Sequence, residues 1–374
     1  MNNSFEVIET TKGHPLAIHD DYQYRKYQTN NANIITWVCL NEKKDEKCKG
    51  RLRTTEQGLD LVTEIPVYSS VKTTLNRIRR KSLGNALDPK LREDIIIPFD
   101  SEFVLFDDGE ENRIIGLCSI KCRQIASEGK ACFVDGTFTS CSKQFYQIYT
   151  IHIDIGSTNE EINIIPVIYI LLPNKTKMVY ERLFSMVKTH IPNFNPESFT
   201  LDFEISTIQS ITQIFPSAEI HGCNYHFNQA LWRKIQNIGL ASTYKDNADI
   251  RLHVRMCCAL AHIPISDIDE GWIIIMSNTP DNDKLTLFYD YFIEQWLENP
   301  IISRGMWNCH KRRHRTNNIV EGWNSKLNKL LNTPRPTFMN LYSCLKKETE
   351  NAELLYERSY LNMEGKRRKK CTYN

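Results

Sequence analysis

Long apolar runs are missing from this chain. The longest, INIIPVIYILL from Ile162 to Leu172, is too short to cross a bilayer core of about 30 Å as a helix. The opening residues, MNNSFEVIETTKGHPL, lack a basic start followed by an apolar stretch, so no secretory leader is expected. Charge of one sign is missing too: 47 Lys and Arg face 45 Asp and Glu, a formal net charge of +2. That excludes a uniformly basic coat, so any nucleic-acid contact must come from local patches. Fixed-period repeats and low-complexity blocks are absent. So is histidine between His19 and His152, which bears on any metal finger in that interval. The 12 cysteines are scattered without a secretory context and read as reduced thiols with a few candidate ligands. The compartment these absences leave is cytosol or nucleus. At 374 residues the chain suits two domains of roughly 150 residues each.

Three basic runs interrupt the balance: Arg77, Arg79, Arg80 and Lys81; Lys311, Arg312, Arg313 and Arg315; and Lys366 to Lys370. Each, taken singly, reads first as a solvated face.

Residues 1–70 read as a small β-rich module of short strands, NIITWVCL, CKGRLRTT and LDLVTEIPVYS. Residues 71–130 read as a linker and helical region: a helix in SVKTTLNRIRRKSLGNA, a strand in FVLFD, then a strand and helix ending at Gly129. From Ala131 the pattern sharpens. Strands ACFVDGTF, FYQIYTIHIDI and INIIPVIYILL are joined by hairpin-length links. A helix over Lys177–His190 follows, with Met178, Leu183, Phe184 and Val187 at helical spacing. Strand SFTLDFE, helix ISTIQSITQIF and strand AEIHG complete a core over 131–222. Three antiparallel strands extended by helix-linked parallel ones make a mixed α/β sheet, in the order of a ribonuclease H-like fold. Residues 223–315 read as an all-helical insertion and 316–350 as a final core helix carrying Glu321, with Ile319, Trp323, Leu327 and Leu330 along one stripe. A basic tail is expected over 351–374.

Two acids stand out within strands. Asp135 in FVDGT and Asp202 in TLDFE each follow an apolar residue at a strand's C-terminal end. A buried carboxylate is costly unless something binds it, and two close ones repel unless a cation lies between them. If the first and fourth core strands are neighbours, the two acids converge and Glu321 opens a helix over them. Magnesium is the hard, oxygen-seeking partner for such a set, and a two-ion site serves phosphoryl transfer. Asp154 and Glu204 are the nearest competing carboxylates and are not expected to be primary ligands.

The segments VDGTF…FYQIYTIH, PVIYILL…Y, LDFE…FPSAEIHGCNYHFNQALWRKI and RTNNIVEGWN resemble the transposases of Mutator-like elements (MULE), with a FLYWCH-type module in front. The resemblance implies a DDE-type nuclease-transferase with Asp135, Asp202 and Glu321 as its triad and Mg2+ or Mn2+ as cofactor. It implies cleavage at element ends, attack of the freed 3′-hydroxyl on target DNA, a homo-oligomer during transposition, and nuclear localisation. Cys223 and His226 match the family's C-x-x-H signature; they are two candidate zinc ligands, half a tetrahedral site, read here as a thiol and imidazole packed beneath the active edge. Asn324 stands where relatives often carry histidine after EGW. In the FLYWCH-like segment WVCLNEKKDEKCKGRLRTT the cysteines are Cys39 and Cys48, but the histidine gap removes the usual second pair of ligands. The module reads as a degenerate finger holding little or no zinc, its fold kept by Trp37. Lys311, Arg312, Arg313 and Arg315 precede Glu321 and are expected to flank the catalytic edge and meet DNA phosphates. Competing readings are a domesticated, nuclear DNA-binding descendant without cleavage activity and a scaffold for protein partners.

Overall fold

The computed structural model describes residues 5–361 except 11–12, 20–21, 30–32, 41, 44–45, 48–50, 56–88, 98–101, 110–111 and 159. The strand LDLVTEIPVYS, the helix expected after it, and the basic runs at 77–81 and 366–370 lie outside the described residues. The chain divides into two compact units, residues 1–86 and 87–374.

The first unit is an antiparallel sheet of β1 (Phe5–Glu9), β2 (Pro15–His19), β3 (Tyr22–Thr29), β4 (Ile34–Cys39) and β7 (Arg51–Thr55), in that order. A two-stranded ribbon, β5 (Glu42–Lys43) and β6 (Glu46–Lys47), lies in sequence between β4 and β7. Among the described residues its core is Ala17, Ile35 and Trp37. Trp37 is buried and its indole Nε1 donates to buried Thr54 Oγ1 at 2.9 Å, so β4 and β7 share both an apolar and a polar tie.

The second unit is mixed α/β. Its strands are β8 (Val104–Asp107), β9 (Ile115–Leu117), β10 (Ala131–Thr137), β11 (Gln147–Asp154), β12 (Ile164–Leu172), β13 (Ser198–Leu201) and β14 (Glu219–Gly222). They form one sheet in the order β14-β13-β10-β11-β12-β9-β8. β10 pairs antiparallel with β11, and β11 with β12, whereas β13 runs parallel to β10 and to β14. β8 and β9 extend the sheet beyond β12, so the segment 71–130 is more than a linker and helical region. Both fall where strands were expected, in FVLFD and before the helix ending at Gly129; what the sequence did not show is that they pair with each other and, through β9, with β12.

β12 is buried along nearly its whole length, as a strand covered on both faces must be. The helices are α1 (Ile120–Glu128), α2 (Lys177–His190), α3 (Ile205–Ile214), α4 (Asn224–Asn237), α5 (Ala241–Asp246), α6 (Ala248–Ala259), α7 (Ile268–Ser277), α8 (Asp283–Phe292), α9 (Arg304–Trp307), α10 (Asn318–Leu331) and α11 (Phe338–Tyr360). One face of the sheet packs on α2 and α3 through Tyr180, Leu183, Phe184, Ile208 and Ile211. The other packs on α10 and α11 through Trp323, Leu327, Phe338, Leu341 and Leu345, which join Ile148, Tyr169 and Leu171. α4 to α9 supply the helical stretch between β14 and α10.

Two details of the helix reading shift. Met178 and Leu330 are exposed; the buried stripes are Val179, Tyr180, Leu183, Phe184 and Val187 on α2, and Val320, Trp323, Asn324 and Leu327 on α10. The expected final helix is two: α10 stops at Asn332, in the left-handed region at φ +54°, a conformation asparagine tolerates. α11 then starts at Thr337, whose side chain accepts from Asn340 N, and continues past residue 350. Among the described residues no helix is long and apolar enough to cross a membrane.

Candidate active site

The sheet brings Asp135 and Asp202 together by register. Phe133 pairs with Thr200 across the parallel β10–β13 ladder, and each acid lies two residues further on. Side chains two residues apart share a face and neighbouring strands lie about 4.8 Å apart, so the carboxylates emerge side by side where the strands end. Asp135 is held from two directions: Oδ1 accepts from Gly136 N at 2.8 Å, and Oδ2 accepts from Asn324 Nδ2 at 2.7 Å.

Glu321 reaches this point because the start of α10 is pinned beneath it. Buried Asn317 donates its Nδ2 to Val134 O at 3.0 Å and its backbone N to Cys223 Sγ at 3.3 Å. Glu321 N in turn donates to Asn317 O. Asn324, one turn on, therefore faces β10, and Trp323 anchors the helix to the sheet. Its ring stacks on Tyr169 with centroids 5.5 Å apart, meets His152 edge-on, and donates Nε1 to Glu348 Oε2 at 3.1 Å.

The fourth group is His226, in the first turn of α4. Its Nδ1 lies 2.7 Å from Asp202 Oδ1, and its Nε2 lies 3.9 Å from Glu321 Oε1. Neither Nδ1 nor Oδ1 has a further hydrogen-bond partner among the described residues. Charge holds the pair. The Asp202 carboxylate, then Cys223, pushes the imidazole up to about 10, so His226 carries a proton at neutral pH. Burial, then the Asp202 charge, pushes the Asp135 carboxyl up to about 7, and Glu321 adds to that rise. Protonated His226 therefore lies between Asp202 and Glu321, and its charge also reaches Asp135.

This arrangement fits a divalent cation with oxygen ligands. Asp135, Asp202 and Glu321 supply hard donors, Asp202 Oδ1 is shut off from solvent without a directed partner, and Asp135 resists ionisation until positive charge arrives. Among the described residues these three carboxylates do not all gather within 4.8 Å of one another, and the one group of three candidate ligands that does shares only Asp202 with them. Asp202, Cys223 and His226 bring one ligand atom each within 4.8 Å of one another. Among the described residues no further cysteine or histidine joins them. His314 is bound to Asp154, His310 Nδ1 meets His262 O, and Cys257 is buried in the helical core. Cys223 itself is buried and accepts the Asn317 amide, joining β14 and α4 to the start of α10.

Asp135, Asp202 and His226 line a cleft of about 460 Å³, whereas Glu321 is not among its lining residues. Its walls carry Lys175, from the turn after β12, and Arg233, on α4. Both were missed from the sequence, although His226, Gln229, Ala230 and Arg233 stand at helical spacing i, i+3, i+4 and i+7, the signature of one face. Glu204 also lines the cleft, engaged by Tyr180 Oη at 2.9 Å and Thr207 Oγ1 at 3.2 Å. Asp154 is at the other end of β11: Ile153 pairs with Cys132 near the start of β10. Burial works to raise the Asp154 carboxyl, but bonds from His314 Nε2 and Ser157 outweigh it and leave it lowered.

Two arginines of the basic run before α10 are engaged by backbone carbonyls, while the Arg315 carbonyl accepts from Asn224 N at the start of α4 at 2.8 Å. Arg312 donates to Met306 O at 3.3 Å and to Gly305 O. Arg313 donates to Ser157 O, beside Asp154. Lys311 sits in the left-handed region at φ +56°, and its side chain is exposed, as is that of Arg315. The guanidinium groups of Arg312 and Arg313 are used to fasten the approach to α10, because backbone carbonyls offer them the same acceptors as phosphates would.

Residues 131–230 match the MULE transposase domain, and residues 7–64 match the FLYWCH zinc finger domain. The first match spans Asp135, Asp202, Cys223 and His226 and stops before Glu321. The second spans Cys39 and Cys48, and its only histidines are His14 and His19; Cys48 and the side chain of Cys39 lie outside the described residues. No curated protein matches the chain significantly.

Proposed function

We propose that this chain is a DDE-type DNA transposase that cleaves and joins DNA strands at the Asp135–Asp202–Glu321 edge of a ribonuclease H-like sheet. The observation that carries the reading is His226 lying between Asp202 and Glu321, with Asp135 close enough to feel the charge of both acids. The strand order supports it, since parallel β13 beside β10 is what aligns the two aspartates, and the MULE match supports a transposase-family function. The triad would hold Mg2+ or Mn2+. When bound, such an ion activates the attacking oxygen and stabilises the leaving one in phosphoryl transfer.

The remaining roles belong to the chain's own residues. Asn324 fixes the Asp135 carboxylate through Oδ2. His226 offsets the negative charge of Asp202 and Glu321. Lys175 and Arg233 draw phosphates into the cleft, where attack by water on a phosphodiester leaves a 3′-hydroxyl that then attacks target DNA. Such a protein works in the nucleus, as a homo-oligomer when it joins two element ends to a target. The zinc-finger match implies DNA contact from the first unit as well; the histidine gap after Cys48 supports a finger that holds little zinc.

A nicking assay on supercoiled DNA tests the proposal. Magnesium- or manganese-dependent nicking by the full chain, abolished in Asp135→Asn, Asp202→Asn and Glu321→Gln, is expected. Salt-sensitive DNA binding without nicking in either metal would instead assign the chain to a DNA-binding role without cleavage.

A further inference from the structure

Between β10 and β11 the chain turns through residues 138–146, and most of that turn is spent on fastening it down. Ser140 Oγ bonds Asn328 Oδ1 on α10, and Gln144 Nε2 donates to Pro89 O. Cys141, Ser142 and Phe145 are buried. Arg335 clamps the turn from outside: its N donates to Thr139 O at 2.8 Å, and its Nη1 donates to Phe145 O at 2.8 Å and Tyr146 O at 3.2 Å. Arg335 adopts a left-handed φ of +50° to do so.

On this fastened turn two large side chains point outward. Phe138 is 42% exposed and Tyr146 41% exposed. Their rings meet edge to face, 5.3 Å between centroids at 75°. Phe138 lines the cleft that holds Asp135, Asp202 and Lys175, and exposed Lys143 lies in the same turn. Aromatic rings left in water on a rigid support, beside cations and a cleft for phosphates, combine the two elements of single-strand recognition: a stacking surface and a basic track.

We infer that Phe138 and Tyr146 form a stacking platform for an unpaired nucleobase next to the phosphodiester that enters the cleft. In a duplex the faces of every base are covered by its neighbours, so the platform engages a nucleotide that has left the stack. The aromatic faces read no sequence, because every base has a π-face. The inference rests on the reading of the cleft as a DNA-cleaving site, and it adds that the site prefers frayed or unpaired DNA beside the scissile position.

The test is a pair of titrations with the full chain in magnesium-free buffer. One probe is a labelled duplex, the other the same duplex with three unpaired nucleotides at one 3′ end, both followed by anisotropy. The wild-type protein is expected to bind the second probe roughly tenfold more tightly, the scale of one stacked base. Phe138→Ala and Tyr146→Ala should each bring that ratio close to one, and Phe138→Trp should keep it. The ratio is taken within each variant, so a general loss of binding does not imitate the effect. A ratio unchanged in both alanine variants, alongside intact magnesium-dependent nicking, overturns the platform and leaves the cleavage reading standing. A wild-type protein that binds neither probe and nicks no DNA overturns both.

Discussion

Replacing Asp135 by asparagine should stabilise the metal-free protein at alkaline pH, although it removes a proposed metal ligand. Burial and the Asp202 charge push the Asp135 carboxyl from 3.8 to about 7. An acid whose pKa is raised by folding binds more protons folded than unfolded between those values. Its ionisation therefore erodes stability as pH rises through that window, and the full cost is present above about pH 7. At 1.36 kcal/mol for each unit the ceiling is about 4 kcal/mol, and solvent in the open cleft brings it to about 2 kcal/mol. Asparagine keeps an acceptor for Gly136 N or Asn324 Nδ2 without the charge. In chelator at pH 8, Asp135→Asn should melt roughly 4 °C above the wild type. At pH 5 the gap should shrink to about a third, because folded Asp135 is protonated there while the unfolded chain still ionises. Added magnesium should raise the wild-type melting temperature and leave the variant in place. A variant less stable than wild type at pH 8 in chelator, or a gap equal at both pH values, would refute the argument.

Three other perturbations separate the roles assigned above. Lys175→Ala combined with Arg233→Ala should reduce the slope of log affinity for duplex DNA against log salt by about 2, whereas Arg312→Ala with Arg313→Ala should leave the slope in place and lower the melting temperature. Trp323→Ala removes a buried ring (8% exposed) that seats α10 on the sheet. A loss of about 3–5 kcal/mol in denaturant titration is expected, with nicking lost as Glu321 and Asn324 drift. Elemental analysis of the purified full chain should find well under one zinc per molecule, and Cys48→Ala should not change it; one tightly held zinc lost in that variant would show that His14, His19 or other groups replace the missing histidines.

Asp135, Asp202 and Glu321 were legible as candidates because each sits in a local pattern. Asp135 and Asp202 each follow an apolar strand residue, and the β10–β13 ladder gives them matching positions. Glu321 was visible as an acid in the first turn of an amphipathic helix, with Trp323 and Leu327 marking the buried side. The rest depends on contacts that leave no periodic trace. β8 and β9 were visible as strands, but nothing in so few residues showed that they would extend the core sheet beyond β12. The meeting of His226 with Asp202 and Glu321 is set by where α4 starts after β14, and nothing in C-x-x-H specifies that it faces carboxylates. A charge run gives no sign of what its guanidinium groups will bind, so Arg312 and Arg313 read as a phosphate patch while they fasten onto Gly305, Met306 and Ser157. Asn324 looked like a departure from a histidine pattern; its amide proves to be a direct partner of Asp135.

The account stands on one divalent-cation site shared by residues from β10, β13 and α10. Titrating Mn2+ into the full chain, with free Mn2+ followed by electron paramagnetic resonance, tests that directly. Wild type should take up Mn2+ in competition with Mg2+, and Asp135→Asn, Asp202→Asn and Glu321→Gln should each lose that uptake. Uptake undiminished in Glu321→Gln would contradict the account, because α10 would then contribute no ligand and the three acids would not be one site.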